Sequence, residues 1–398
     1  MQQKRGKDLV IGKRLTFLDE ARGLIMIFMA WDHALYFWSN GRASNEGLPL
    51  LQHGTVVFNS PGATTWLGFV VMLLSSLSAP GFLFITGYVM SLAIKRRRER
   101  GETEVEIDRH LWSRSILLVT LQLAVASPAF NLPLLLQGGR DVFSLGTFLS
   151  FSVLSTIGLG YIALRFLRRS PPAIGLGVMF AVFGLAQVAL PILAKTFAVS
   201  TQWQKALLNL FLLPVPFSPS LVLNNNFPVL PWLIPLFSGW WFGNTYKDEL
   251  GIQREGQRFA ASGAVCISLF VLLRFGHFGD HLIFDGSLQG FFFLSKYPPS
   301  LDYLLFYLGV LFLVFAWLIY RPVGGLRPVL QRFGQAPLFF YCVHLWLFAL
   351  VPALRLSFNR VSLLTGTGIW LLGLVILYVL CDKYLEFRVW AKQRYHYA

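Results

Sequence analysis

Apolar stretches long enough to cross a lipid bilayer recur along this chain, and every second connection between them is rich in lysine and arginine. A helix needs about 20 apolar residues to span a ~30 Å hydrocarbon core. Only helices and closed barrels satisfy their backbone polar groups there. The short alternating strands of a barrel are not evident in the sequence. Of the 398 residues, 55% are hydrophobic and 13% charged, and mean hydropathy is +0.58. Soluble domains carry about a quarter charged residues. The sequence therefore predicts an all-α, polytopic integral membrane protein.

Spans are expected near 20–38, 66–94, 115–137, 142–164, 173–194, 228–246, 259–275, 303–320, 334–354 and 362–382. The segments 1–22, 95–114, 165–169, 247–258, 321–332 and 383–398 hold 26 of the 34 Lys and Arg residues. Basic connections face the cytosol, so the net charge of +15 marks orientation and does not point to nucleic acid. Ten transmembrane helices with both termini cytosolic satisfy this pattern, whereas nine or eleven put a basic segment outside. The expected layout is a basic leader (1–19), a single transmembrane domain (20–384) and a basic tail (385–398). No small-residue cleavage site follows the first apolar run, so it reads as an uncleaved signal anchor. Cys266, Cys342 and Cys381 fall in or at the ends of spans, which suits inert buried thiols better than a disulfide framework.

Chemistry concentrates on the first span. Arg22 and His33 lie eleven residues apart, close to three helical turns, and so share one face about 16 Å apart along the axis. Ionisable groups inside a span usually face a protein interior or a watery cavity. A cavity reaching across much of the bilayer is the predicted consequence, with a cation near one mouth and an imidazole suited to proton transfer deeper in. Asp19, three residues before Arg22, can pair with it. Asp32 is adjacent to His33 but projects about 100° away on a helix. The residues alone also allow a structural reading, with Arg22 as a snorkelling anchor and His33 as a packed polar group.

Further signals follow. Pro80, in Ser78-Ala79-Pro80-Gly81, predicts a kink in the second span, whose freed carbonyls need partners. Lys95-Arg96-Arg97-Arg98 fits an anchor to acidic headgroups and is also suited to a phosphate-rich cytosolic ligand. His344 falls near mid-membrane in the ninth span, next to Tyr341 on the same helix. His277 and His281 are four apart, a metal-binding spacing if helical. Gly276 and Gly279 argue against a helix there and no third ligand is evident, so no metal site is expected.

The pattern Leu18-Asp19-Glu20-Ala21-Arg22-Gly23 followed by Trp31-Asp32-His33 resembles the first helix of the transmembrane acyltransferase superfamily. More specifically, it resembles bacterial relatives of the heparan-alpha-glucosaminide N-acetyltransferase catalytic domain. Ser78-Ala79-Pro80-Gly81, Phe227-Pro228-Val229-Leu230-Pro231-Trp232, Lys296-Tyr297-Pro298-Pro299-Ser300 and Gly334-Gln335-Ala336-Pro337-Leu338 resemble later segments of that group in the same order. Where many bacterial relatives carry a histidine before the Ala-Pro, this chain reads Ser75-Ser76-Leu77-Ser78. The lysosomal enzyme places its active histidine in the stretch before that helix, where His53 is a distant candidate.

The resemblance implies an enzyme that moves an acetyl or other acyl group from cytosolic acetyl-CoA to a hydroxyl or amine of an envelope saccharide or small molecule. The expected setting is a bacterial inner membrane. It implies His33, with Asp32 and His344, as the catalytic group. Arg22, Asp19, Tyr341, Lys296 and Tyr297 are the expected binding residues for acetyl-CoA, and no metal is implied. A proton-coupled transporter or flippase, or a non-catalytic membrane partner of the same fold, are the alternatives the residues leave open.

Overall fold

The computed structural model of the chain describes residues 15–42, 46–53, 55–60, 65–137, 144–247, 251–321, 324–354 and 358–395. Most of the predicted leader and the last three residues of the predicted tail lie outside the described residues. The architecture is almost entirely helical. The principal helices are α1 (Thr16–Trp38), α2 (Trp66–Ser75), α3 (Ser78–Glu99), α4 (Glu104–Leu121), α5 (Ser127–Gln137), α6 (Val153–Leu167), α7 (Pro172–Val199), α8 (Val229–Asn244), α9 (Gly251–Phe275), α10 (Leu301–Tyr320), α11 (Arg327–Gln335), α12 (Pro337–Leu354) and α13 (Leu363–Tyr395).

Among the described residues, seven helical stretches are long and apolar enough to cross a membrane: Trp66–Glu99, Glu104–Pro133, Pro172–Val199, Gly251–Phe275, Leu301–Tyr320, Pro337–Leu354 and Leu363–Arg394. The other three expected spans correspond to α1, which carries Asp19, Glu20, Arg22 and Asp32, and to α6 and α8, which are only 15 and 16 residues long. Within the expected span at 142–164 the described residues start at Ser144; Leu145–Phe148 forms one short helical turn, and the continuous helix begins at Val153. Ahead of it, Ser150–Phe151 forms a short parallel strand with Asn224–Asn225. A second small sheet pairs Pro49–Gln52 with Thr55–Phe58.

The predicted kink appears as a break between α2 and α3, with Ser76 and Leu77 in a turn. Pro80 then falls in the first turn of α3, where its missing N–H leaves no bond unmade. The Tyr303 hydroxyl donates to the Ser76 carbonyl at 2.8 Å, and Ser78 Oγ donates to the Ile25 carbonyl at 3.0 Å. The carbonyl freed at the break thus finds a partner in α10, and the Ser78 side chain ties the start of α3 to α1.

Helix α1 is central, packing against α2, α3, α10, α11, α12 and α13. Two apolar cores flank it. One joins its N-terminal part, Phe17 to Ile25, to α3, α8, α9 and α10 around Phe84, Phe259, Phe312 and Phe315. The other joins its remaining length to α5, α12 and α13. Helices α3 and α8 interlock through glycines: a Cβ on Gly87 would lie 1.9 Å from the Leu236 carbonyl oxygen, and one on Gly239 would lie 1.9 Å from that of Phe84. Such small-residue contacts let membrane helices approach closely.

Candidate active site

His33 and His344 meet between α1 and α12, with His33 Nδ1 2.8 Å from His344 Nε2. The other ring nitrogen of His344, Nδ1, lies 2.9 Å from the Phe340 carbonyl, which can only accept. His344 therefore donates from Nδ1, and in the neutral ring its Nε2 must accept. That requires His33 to donate from Nδ1, which leaves the lone pair of its Nε2 free. His344 is fully buried, and Phe130 packs edge-on against the His33 ring at 5.1 Å. Trp31 stacks on Trp370 at 4.4 Å and hydrogen-bonds Thr367, which fixes this length of α1 against α13.

His33 lines a chamber of about 300 Å³ together with Asp32, Tyr36, Arg42, Asn131, Lys296 and Tyr297, among others. Asp32 turns away from His33, as helical geometry requires, and takes a two-pronged contact from Arg42 at 2.6 and 2.8 Å. Burial works against the Arg42 charge, but the adjacent Asp32 carboxylate outweighs it and raises the Arg42 pKa. Lys296 follows the same pattern: burial opposes its charge, and Tyr297, Glu46 and Asp32 hold its pKa above the usual value. One carboxylate, Asp32, and two cations, Arg42 and Lys296, line this chamber.

The Lys296–Ser300 loop is held by backbone contacts. The Lys296 and Tyr297 amides both donate to the Glu46 carbonyl at 3.0 Å, and Gln187 Nε2 donates to Pro299 at 2.8 Å.

A second chamber, of about 270 Å³, is lined by Arg22, Thr86, Arg114, Tyr161 and mostly apolar residues of α3, α4, α6 and α12. Arg22 donates to Asp19 at 3.1 Å, as its spacing predicts, and to the Gly334 carbonyl at 2.9 Å. Its position is set by close packing of α1 on α11, where Gly23 and Gly334 face backbone. Phe82, Val153 and Tyr341 line both chambers. The two cavities thus abut at a common wall, one with Arg22 and Arg114, the other with His33.

The structure separates residues that the sequence groups together. Lys296 and Tyr297 line the His33 chamber and not the Arg22 chamber. His53 is exposed at the turn of the small hairpin and lines neither. His277 and His281 go to different partners: His281 Nε2 lies 2.5 Å from Gln187 Oε1, and His277 stacks on Phe284. Among the described residues no cluster of three His, Cys, Asp or Glu is arranged to hold a metal. Arg42, Arg114 and Ser152 were not singled out from the sequence. Arg42 carries one available signal, a cation in a connection that is otherwise poor in lysine and arginine.

The model of the family described as heparan-alpha-glucosaminide N-acetyltransferase, catalytic, matches residues 14–272. The chain belongs to that family. Comparison with curated proteins finds no match. With its seven candidate spans, membership makes the chain an integral membrane protein of a membrane acetyltransferase family. The matched segment contains Asp19, Arg22, Asp32, His33 and Arg114. Lys296, Tyr297 and Tyr341 lie beyond it and line the same two chambers through the fold, and His344, also beyond it, contacts the His33 ring.

Proposed function

We propose that this protein transfers an acetyl group from cytosolic acetyl-CoA to a hydroxyl or amine of an envelope saccharide or small molecule, with His33 as general base. The observation that carries this reading is the His33–His344 pair, whose hydrogen bonds direct a free imidazole lone pair at His33 Nε2. The two abutting chambers support a division of labour.

On the donor side, a cavity of about 270 Å³ is smaller than a typical site of ~300–1,000 Å³ that encloses a whole ligand. It suits the slender acyl-bearing arm of acetyl-CoA, with the phosphates left at the mouth beside Arg22 and Arg114. Guanidinium groups recognise phosphate well. On the acceptor side, aromatic faces from Tyr36, Phe130, Phe217, Phe227 and Tyr297 accompany the amides of Asn131 and Asn226. Rings and amides together suit a polar, ring-shaped acceptor such as a sugar.

His33 Nε2 takes the acceptor proton as the acceptor oxygen or nitrogen bonds to the acyl carbon. His344 holds the His33 ring in the required tautomer, much as the third member of a hydrolase triad holds its histidine. Asp32 acts by fixing Arg42. The Arg22 mouth faces the cytosol on this reading, and ten crossings with both termini cytosolic in a bacterial inner membrane complete it.

Two measurements test it. The purified protein in detergent is expected to gain thermal stability from acetyl-CoA. Envelope saccharides of a deletion strain are expected to lose an acetyl mass increment. No stabilisation and no change in acetylation would remove the reading and restore the transporter alternative.

A further inference from the structure

We propose that the Tyr341 hydroxyl stabilises the acyl carbonyl oxygen during transfer; this inference rests on the acetyltransferase reading above. If donor and acceptor occupy the two chambers, the acyl carbon must sit where they meet. That common wall is Phe82, Val153 and Tyr341. Of the three side chains only Tyr341 carries a polar atom. It lies three residues before His344 on α12, so both project from one face, with ring centroids 5.6 Å apart. The hydroxyl and the His33–His344 pair are therefore set on one scaffold.

The neighbouring hydrogen bonds fix which way the Tyr341 proton points. Gln122 Nε2 donates to the Ser150 carbonyl at 3.0 Å, which orients the amide and leaves Oε1 as the acceptor. Ser152 Oγ donates to that Oε1 at 2.7 Å. Its single proton is thereby engaged, so in its 3.4 Å contact with Tyr341 Ser152 accepts and Tyr341 donates. A separation of 3.4 Å is long for an O–H···O bond, whose usual value is about 2.7–2.8 Å. The Tyr341 proton is thus oriented but weakly held, and a more charged oxygen at the junction would capture it. Gln122 itself opens a π-helical turn, Gln122–Ala126, a backbone form frequent at functional sites.

The step balances without an added reactant. The acceptor lone pair forms a bond to the acyl carbon, and the acceptor proton passes to His33 Nε2. The carbonyl π pair moves onto oxygen, which takes the hydrogen bond from Tyr341. The pair then returns, the carbon–sulfur bond breaks, and the departing sulfur receives the proton from His33.

The test uses the full chain in detergent with acetyl-CoA labelled with carbon-13 at the carbonyl. Infrared difference spectra of the bound donor report carbonyl polarisation without any need to know the acceptor. The carbonyl band is expected at lower frequency in the wild type than in water, and to return toward the water value in Tyr341→Phe with donor affinity unchanged. Thiol release in the presence of glucosamine is expected to fall about 10²–10³-fold in Tyr341→Phe, and severalfold in Ser152→Ala. An unshifted band or undiminished turnover in Tyr341→Phe, alongside a wild type that binds donor, overturns the role of Tyr341 alone. Joint loss of donor binding and thermal stability in that variant assigns Tyr341 a structural role and also overturns it. A wild type that does not bind acetyl-CoA removes the acetyltransferase reading, and this inference with it.

Discussion

His33 Nδ1 lies 2.8 Å from His344 Nε2, and the only arrangement of protons in the neutral pair that also satisfies the Phe340 carbonyl leaves His33 Nε2 as a hydrogen-bond acceptor. A general base contributes about 10²–10⁴ in rate, so His33→Ala is expected to lower turnover within that range. His344→Ala removes the orienting partner but keeps the base, and should cost less, about tenfold to a hundredfold. Donor affinity should hold in both. Steady-state kinetics with a binding titration checks this: equal activity in His33→Ala and the wild type would dismiss the base.

The donor mouth is the second target. Arg22 and Arg114 line the same chamber from α1 and α4. Hydrogen bonds to charged groups are worth about 1.5–3 kcal/mol, so each single alanine variant is expected to weaken acetyl-CoA binding by roughly tenfold or more. Titration calorimetry should show this as a rise in Kd, while dephospho-CoA should distinguish which phosphate each guanidinium serves. Unchanged affinity in the double variant would move the donor elsewhere.

Much of this site is written in the first helix. The spacing of Arg22 and His33 indicates one face of one element, and Asp19 sits where i, i+3 pairing with Arg22 follows from helical geometry alone. The depth of His344 in the ninth span marks it as a buried polar group in need of a partner. What escaped was set by tertiary contact. Nothing local says that Asp32 would be claimed by Arg42 ten residues on, across a change from helix to loop. Hydropathy also does not show that within 144–152 Ser150 and Phe151 pair with Asn224 and Asn225 and Ser152 reaches Gln122, ahead of the helix that starts at Val153. Composition records how apolar a segment is, not whether its polar groups have distant partners. Lys296 and Tyr297 were recognised as a motif, yet only the fold assigns them to the His33 chamber.

Asp32 and Arg42 offer a cycle of variants. Both are largely shielded from solvent, and their contact is bidentate. Breaking a buried pair by deleting one partner costs about 3–5 kcal/mol because the survivor keeps an unpaired charge. Asp32→Ala and Arg42→Ala are each expected to lower thermal stability strongly. The double variant should lose clearly less than the two losses combined. Strictly additive losses in detergent melts would show that the pair is not coupled.

The last prediction links packing to the donor mouth. Arg22 is aimed by the Gly334 carbonyl, and α1 meets α11 closely because neither Gly23 nor Gly334 carries a side chain. A Cβ on Gly334 would lie 1.9 Å from the Asp19 carbonyl oxygen, and one on Gly23 would lie 2.0 Å from that of Leu330. Backbone on both sides cannot yield as a flexible side chain would, so Gly334→Ala must push the helices apart. Overpacking of this kind costs about 1–3 kcal/mol, and here it also shifts the acceptor that orients Arg22. Gly334→Ala should therefore lower both melting temperature and acetyl-CoA affinity. Gly368→Ala on α13, where an added Cβ meets no atom within 4 Å, should change neither. A Gly334→Ala protein that melts lower but binds acetyl-CoA with wild-type affinity would separate the α1–α11 contact from the donor site.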